Sequence, residues 1–228
     1  MRHELKYVIS PIQYQLLRGR LQPFLSHDKH AGEDGDYFIR SIYFDSYHHR
    51  AMSEKNMGID SRQKYRIRFY NGNAEKCFLE CKHKKGTRIE KETFEITKEE
   101  RAEIMTGKVV MQQASKETVL ERLKALVMTE VFRPVVVVDY LREAYVHPVS
   151  NLRITFDKEI AAGKVENAFE GRRCISNVLP PGYMVLEVKY DEYMPKHIAE
   201  IISSIRPTQQ AASKYVMCMN EKMEGRIL

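Results

Sequence analysis

Polar and apolar residues alternate along much of the chain, and this pattern predicts β-strands. In residues 62–70, RQKYRIRFY, the basic residues fall on one side of the predicted strand and the aromatic and aliphatic residues on the other. The same alternation predicts eight strands, at residues 2–9, 36–45, 62–70, 76–84, 88–96, 133–146, 150–158 and 183–190. The turn sequences NGN at 71–73 and KGT at 85–87 predict consecutive hairpins.

Helical spacing of apolar residues appears between these strands. It predicts helices at residues 11–25, 98–105, 115–127 and 195–205, and a short last helix at 212–223. Pro11 and Pro195 stand at helix starts, where a missing N–H is tolerated, and Ser115 with Thr118 is a candidate cap. Mostly antiparallel strands with helices between them predict an α+β fold, and no linker or repeat divides residues 1–228, so a single domain is expected.

Charged residues recur on one face of several predicted strands. The strands carry these residues on the polar side: Arg2, Glu4 and Lys6; Glu80, Lys82 and Lys84; Arg153, Thr155 and Asp157; Glu187 and Lys189. A sheet with one face in water would explain any one of these strands. The repetition of Arg and Lys with single carboxylates instead favours a closed sheet with its charged face inward and its apolar face beneath helices.

Enclosing many cations is costly unless an anion compensates for their lost hydration. Phosphate oxygens do this well, because Arg and Lys make short charge-assisted hydrogen bonds to them. Carboxylates among such cations suit a divalent metal that bridges to phosphate. The candidate metal ligands are Glu4, Glu80, Asp157 and Glu187.

The composition agrees with an anionic partner without identifying it. Lys and Arg number 37 against 31 Asp and Glu, which gives a net charge of +6. The four cysteines lack the spacing of a zinc site or a redox pair, so they are expected to be reduced and mostly buried. With no signal core and no run of about 18 apolar residues, a soluble, cytoplasmic protein without a membrane span of its own is expected.

Eight short motifs in this order carry a resemblance to a known family: RHELKY (2–7), IRSIYFD (39–45), KYRIRFY (64–70), LECKHK (79–84), RPVVVVDYLREAY (133–145), LRITFD (152–157), LEVKY (186–190) and SKY (213–215). Together they resemble the polyphosphate-polymerase domain of the vacuolar transporter chaperone (VTC) family, among the CYTH-like triphosphate tunnel metalloenzymes. The resemblance implies a closed antiparallel eight-stranded β-tunnel with helices packed on the outside. It also implies transfer of the ATP γ-phosphoryl group to a polyphosphate chain, with Mn²⁺ or Mg²⁺.

The resemblance further implies roles for particular residues. The expected catalytic residues are Lys6, Arg66, Arg68, Lys82, Arg142, Arg153 and Lys214. The same residues with Lys84, Lys91, Tyr140 and Lys189 are expected to bind ATP and polyphosphate or triphosphate. Glu187 is the implied metal ligand, with Glu80 and Glu4 as further candidates.

Two positions depart from the family pattern. Hydrolytic members begin with ExExK, whereas Arg2 replaces the first acid here, which argues against a triphosphate hydrolase. A second lysine of the polymerase pattern is replaced by Ala211, so either Arg206 or Lys222 compensates or the terminal phosphate is bound more weakly. The regulatory domain and membrane helices of eukaryotic members do not appear in this sequence, so coupling to transport would need a separate membrane partner.

Three other functions remain open from the sequence. A non-catalytic module that binds polyphosphate or inositol phosphate would gain little from a carboxylate such as Glu187, whereas Ala211 favours it mildly. A triphosphate hydrolase is the second. Nucleic-acid binding is disfavoured, because Tyr65 and Phe69 fall on the face opposite the cations and could not stack on bases beside them. The pair at 48–49, His48-His49, is interpreted as a solvated helix surface.

Overall fold

The computed structural model describes residues 3–32, 34–86, 88–110, 118–207 and 212–227. The strands are β1 His3–Ile9, β2 Ser26–His27, β3 Asp36–Asp45, β4 Arg62–Tyr70, β5 Cys77–Lys85, β6 Arg88–Ile96, β7 Arg133–Val146, β8 Arg153–Gly163, β9 Ser176–Asn177 and β10 Met184–Tyr190. The helices are α1 Pro11–Leu21, α2 Arg50–Asn56, α3 Lys98–Thr106, α4 Val119–Glu130, α5 Lys196–Ser204 and α6 Lys214–Met223, with a 3₁₀ turn at Val165–Asn167.

All ten strands belong to one antiparallel sheet, so the predicted α+β class is confirmed. Its main path runs β1-β10-β8-β7-β3-β4-β5-β6, while β2 pairs with β7 and β9 pairs with β8. The eight strands of the main path correspond to the eight predicted strands. The expected closure is not observed, because β1 and β6 end the path and the described residues include no backbone pairing between them.

Several element boundaries differ from the prediction for local reasons. Helix α1 ends at Leu21 rather than at residue 25, because Pro23 has no N–H to continue the helical hydrogen bonds. Gln22, the residue before it, still has helical φ and ψ and donates its N–H to the carbonyl of Arg18. Helix α4 begins after Thr118, whose side chain accepts a hydrogen bond from Glu121 N. The predicted cap Ser115 lies outside the described residues. The histidine pair precedes α2 rather than lying on it, with His49 at the N-cap.

The predicted turn between β4 and β5 is confirmed. Asn71 and Gly72 both have positive φ, 51° and 72°, as a type I′ turn requires. In the next turn Lys85 pairs with Arg88 and Gly86 has a φ of 60°, while Thr87 lies outside the described residues.

The apolar face of the sheet packs beneath helices, as the alternation predicted. Around β4 and β5, Ile67 and Leu79 are fully buried in one cluster with Leu123 of α4. Around β8 and β10, Ile154 and Leu186 are fully buried in another, with residues of α1 and α5. Tyr65 and Phe69 are buried in the first of these clusters, so their rings contact the core and not solvent.

Helix α6 is an exception to the expectation that all helices pack outside. Cys218 and Met219 of α6 are buried in a cluster with Val136 and Val138 of β7. Val138 lies opposite Ser41 on β3. Its side chain is on the same face of the sheet as Tyr140 and Arg142, which follow two and four residues later where the charged part of that face begins. This apolar end of the inner face is where α6 packs. In the described ranges no helix is long and apolar enough to cross a membrane.

Candidate functional site: a cation-lined cavity

The inner face of the sheet borders a cavity of about 150 Å³. Its lining holds nine basic residues and three carboxylates from six of the strands and from α6. The basic residues are Lys6, Lys64, Arg66, Arg68, Lys82, Lys91, Arg142, Lys189 and Lys214, and the acidic ones are Glu4, Glu80 and Glu187. Tyr43, Tyr140, Ser213 and Tyr215 also contribute. The charge surplus suits this cavity to an anion.

Strand register explains why these side chains meet. Residues directly opposite in an antiparallel pair share a face. Lys6 of β1 is paired with Glu187 of β10, and Arg66 of β4 is paired with Glu80 of β5. Lys82 lies opposite Lys64 on one side and Lys91 on the other. The alternate strand positions that carry charged residues in the sequence are therefore the positions whose side chains face the cavity.

Glu80 holds three cations on β4 and β6. Its Oε2 accepts hydrogen bonds from Arg66 at 2.6 and 2.8 Å and lies 3.7 Å from Arg68, while its Oε1 accepts from Lys91 at 3.0 Å. Burial alone would raise the pKa of Glu80, but Arg66, Arg68 and Lys91 hold it well below its ordinary value. Glu80 is therefore ionised at neutral pH and orients these cations.

Asp157 plays the same part for two cations on the opposite wall. The side chain is fully buried, and it accepts hydrogen bonds from Arg142 at 2.6 and 2.9 Å. Lys214 Nζ lies 2.5 Å from its Oδ2. Burial raises the pKa of Asp157, but Arg142 and Lys214 outweigh it and bring the pKa to about 2. Asp157 lies behind these two cations and is not part of the cavity lining.

Glu4 and Glu187 converge on one cation. Lys6 Nζ lies 2.8 Å from Glu4 and 3.3 Å from Glu187, and Lys189 donates to Glu187 at 2.9 Å. Burial opposes ionisation of Glu187, yet Lys6, Lys189 and a hydrogen bond with Glu4 keep its pKa well below the ordinary value. Burial lowers the pKa of Lys189 to about 8, although Glu187 and Glu4 partly offset this.

A side-chain contact spans the two ends of the sheet. Lys82 of β5 donates to both oxygens of Glu4 on β1, at 3.0 and 3.3 Å. Since β1 ends the strand order on one side and β5 is next to the last strand on the other, the sheet must curl until these two parts approach. The cavity lies on the concave side of this curl.

Tyrosine hydroxyls fix the guanidinium groups further. Arg66 donates to Tyr43 at 2.9 Å, and Arg68 donates to Tyr140 at 2.9 Å. The Lys214 ammonium lies 5.0 Å from the centre of the Tyr140 ring, a cation–π distance. These contacts reduce the freedom of the cations before any ligand binds.

Most of the site residues predicted from the sequence line the inner cavity, and two of the basic ones do not. Lys84 lines only an adjoining outer basin of about 460 Å³, described below. Arg153 lines neither cavity and instead contacts Asp28 at 2.8 Å and the Tyr37 hydroxyl at 3.0 Å. All other predicted basic residues and Tyr140 line the inner cavity.

The residues considered as replacements for the missing second lysine are elsewhere. Lys222 donates to the carbonyl of Val135 at 2.6 Å, and neither it nor Arg206 is among the residues lining the two cavities. Ala211 itself lies outside the described residues. Compensation by Arg206 or Lys222 is therefore not supported by where these side chains lie.

Lys64 is a site residue that the transfer of family roles missed. It belongs to the basic row of β4, and it lines both the inner cavity and the outer basin. Lys64 is two positions before Arg66 on the same strand, so the sequence places both side chains on one face, and this spacing alone could have identified it. Lys55 and Arg62, which line only the outer basin, were missed as well.

The carboxylates differ in how well they suit a divalent metal. Among the described residues, no group of three or more His, Cys, Asp or Glu side chains could hold a metal ion by itself. Mg²⁺-type sites commonly use one or two carboxylates and complete the shell with water and phosphate oxygens. Glu187 with Glu4 fits this, because both already contact one cation, the Lys6 ammonium. Glu80 fits less well, since both its oxygens are held by Arg66 and Lys91.

A curled antiparallel sheet with a cation-rich inner face and a few carboxylates is the arrangement of the triphosphate tunnel metalloenzyme class. The VTC domain family matches residues 1–222, and the chain belongs to this family. No curated protein matches the chain.

Solved structures agree on the fold. A putative adenylyl cyclase from Hippeastrum, described as having a dominant triphosphatase activity, is 19% identical with a TM-score of 0.56, covering 100% of this chain and 98% of that one. A putative adenylate cyclase from Bacillus halodurans is 13% identical with a TM-score of 0.54, covering 92% of each chain. At these identities the likeness concerns the fold.

Proposed function

We propose that this chain is a metal-dependent phosphotransferase that moves the γ-phosphoryl group of ATP onto a polyphosphate chain, within a tunnel formed by the curled sheet. The observation that carries the proposal is the inner cavity itself, with nine basic residues against three carboxylates. Such a surplus is compensated best by a dense polyanion. The VTC family membership supports polyphosphate as that polyanion.

The residues of the cavity supply what phosphoryl transfer needs. The reaction depends mainly on alignment and charge stabilisation, with little covalent help from protein. Arg66, Arg68 and Arg142 are held by carboxylates and tyrosines, so they can bind phosphate oxygens with little rearrangement. Cys and His are absent from the described lining, and the transfer requires neither as a nucleophile.

A divalent metal, Mn²⁺ or Mg²⁺, would be held by Glu187 and Glu4. When bound, it would neutralise charge on phosphate oxygens. Lys6 would then have to share these carboxylates or turn to the phosphate. Glu80 and Asp157 would keep their neighbouring cations in place.

The test is incubation of the protein with ATP and Mn²⁺, followed by gel separation of polyphosphate. We expect long chains and ADP from the wild-type protein. Lys196→Ala is a matched control, since Lys196 is 88% exposed and lines neither cavity. Nucleotide consumption without polyphosphate would contradict polymerase activity.

Triphosphate hydrolysis is the second candidate. The Hippeastrum protein with the same fold is described as a triphosphatase, and Glu4 with Glu187 retains two adjacent carboxylates despite Arg2. Release of orthophosphate from tripolyphosphate without chain growth would favour it. Tight binding with no turnover of either kind would favour a binding module. A cytoplasmic location and a separate membrane partner stay predictions.

A further inference from the structure

Lys64 differs from the other cations of the inner cavity in its partners. Eight of the nine have a carboxylate oxygen within 4.0 Å: Lys6, Arg66, Arg68, Lys82, Lys91, Arg142, Lys189 and Lys214. Among the described residues, no carboxylate lies within that distance of Lys64. Its ammonium instead donates to Ser213 Oγ at 3.3 Å and lies 5.1 Å from the centre of the Tyr215 ring.

The charges that face Lys64 from each neighbouring element are mostly positive. They are Arg62 and Arg66 on its own strand, Lys82 and Lys84 on β5, Lys6 and Glu4 on β1, Lys55 on α2, Tyr43 on β3, and Lys214 and Tyr215 on α6. Glu4 is the one carboxylate in this set, and it is held by Lys6 and Lys82. Lys64 thus experiences repulsion without a compensating ion pair.

This environment disfavours the charged form of the side chain. Burial, followed by repulsion from Lys55, Lys6, Arg62 and Lys82, lowers the pKa of Lys64 to about 7. An ordinary lysine titrates near pH 10.4. An anion placed at Lys64 would reverse the effect, because it would favour the ammonium.

The position of Lys64 also defines what could reach it. It lines the inner cavity and the outer basin at their junction. The basin adds Lys55, Arg62 and Lys84 to the residues shared with the inner cavity. A phosphate chain that leaves the inner cavity on this side would pass directly beside Lys64.

We propose that Lys64 is a proton-coupled phosphate ligand, which binds the oxygens of a phosphate chain at the junction of the inner cavity and the outer basin and takes up a proton as it does so. This proposal rests on the proposed phosphate-binding function and adds to it a dependence on pH. The proton comes from solvent and adds to the neutral amine. No covalent bond to phosphate forms or breaks in this step.

The sign of the pH dependence follows from linkage. The free protein holds Lys64 largely neutral at pH 8, whereas the complex holds it charged, so binding consumes protons. Affinity for the anion should therefore fall as the pH rises from 7 to 8, by up to about tenfold from this residue. Lys189 and the phosphate chain contribute their own protons, so the measurement needs a comparison between variants.

The experiment is calorimetric titration of wild-type protein and Lys64→Arg with tripolyphosphate at pH 8, with chelator present. Two buffers that differ in ionisation enthalpy report the number of protons taken up. Arginine stays charged throughout, so it cannot contribute uptake. We expect the wild-type protein to take up as much as about one proton more than Lys64→Arg. The matched control Lys196→Arg, at an exposed position, should behave as wild type.

A second variant tests whether Lys64 is a ligand at all. Lys64→Met should bind tripolyphosphate about tenfold to a hundredfold more weakly than wild type at pH 6.5, where the lysine is charged. Equal proton uptake by wild type and Lys64→Arg, or unchanged affinity of Lys64→Met, would overturn the role of Lys64 and leave the proposed function standing. Failure of wild type to bind tripolyphosphate at all would overturn both.

Discussion

At the scale of single residues, the carboxylates in and behind the cavity lining separate into two groups by what surrounds them. Glu80 and Asp157 are 3% and 0% exposed, and their oxygens are taken up by Arg and Lys side chains. Glu187 and Glu4 share Lys6 and lie beside one another, as two metal ligands would. Sequence parity predicted that all four lie on one face, but it could not distinguish these roles, because it gives the face of a side chain and not its partners. Glu80 and Asp157 accept from arginines of neighbouring strands, whereas Glu187 meets Lys6 from the other end of the chain.

Glu187 and Lys214 should respond oppositely to substitution. Glu187→Gln should abolish metal-dependent turnover, while metal-free binding of tripolyphosphate survives or tightens, because Lys6 and Lys189 are released from an anion. Lys214→Ala should weaken metal-free binding by about tenfold to a hundredfold, the effect of one charge-assisted contact. Titration with chelator present measures both. Equal weakening by the two substitutions would show that the assignment of Glu187 to the metal is wrong.

Lys64→Met should stabilise the protein at neutral pH. The folded state lowers the pKa of Lys64 to about 7 from the ordinary lysine value of about 10.5 in the unfolded state, so it binds fewer protons than the unfolded state between these values. The resulting loss of stability is fully present below pH 7 and disappears as the pH rises through 10.5. The free energy of unfolding in urea should therefore be higher for Lys64→Met at pH 7 and converge with wild type towards pH 10. A constant difference across this range would argue against titration of Lys64.

At the scale of elements, helix α2 was not predicted, because its start is stabilised by a residue outside the usual capping position. Its N-cap residue His49 adopts φ of 53° and makes no side-chain cap. The start of the helix is instead held by Asp45, the last residue of β3, which accepts hydrogen bonds from the backbone N–H of Ala51 and Met52. A cap reaching six or seven residues along the chain does not match the usual spacing of cap and helix. The longer amphipathic helices needed no such distant contact and were predicted.

Tyr215 connects α6 to this same carboxylate. Its hydroxyl donates to the fully buried Asp45, and its ring lies 5.0 Å from that of Tyr43, which accepts from Arg66. Tyr215→Phe should lower the free energy of unfolding by about 1–3 kcal/mol, because Asp45 loses a donor in a buried site. We expect tripolyphosphate affinity to fall as well, since Lys214 begins the same helix.

Tyr193→Phe is the control for this substitution, because Tyr193 is 67% exposed. It should change neither denaturant unfolding nor tripolyphosphate titration. A loss of stability in Tyr215→Phe with unchanged affinity would restrict the Asp45 contact to a structural role.

At the scale of the whole molecule, alternation predicted the strands and their faces, whereas the curl of the sheet depends on side-chain contacts between strands far apart in the strand order. Glu4 and Lys82 are 78 residues apart in the chain and meet because the sheet curls. No local pattern encodes that distance. The same holds for Arg153, which was expected in the cavity but pairs with Asp28 in the loop before β3. Alternation along a strand determines which face of the sheet a residue occupies. The pairing of the strands in the folded protein determines where on that face it lies.

Tripolyphosphate should raise the midpoint of thermal unfolding of the whole chain. Nine cations and three carboxylates line one cavity, so their repulsion opposes the curled state, and an anion that binds only this state relieves it. Sodium chloride at equal ionic strength serves as the control, because it screens charges without filling the cavity. We expect a rise that grows with the logarithm of tripolyphosphate concentration above saturation and greatly exceeds the effect of the salt. If millimolar tripolyphosphate produced no more change than sodium chloride, the cations could not be converging on an enclosed anion site.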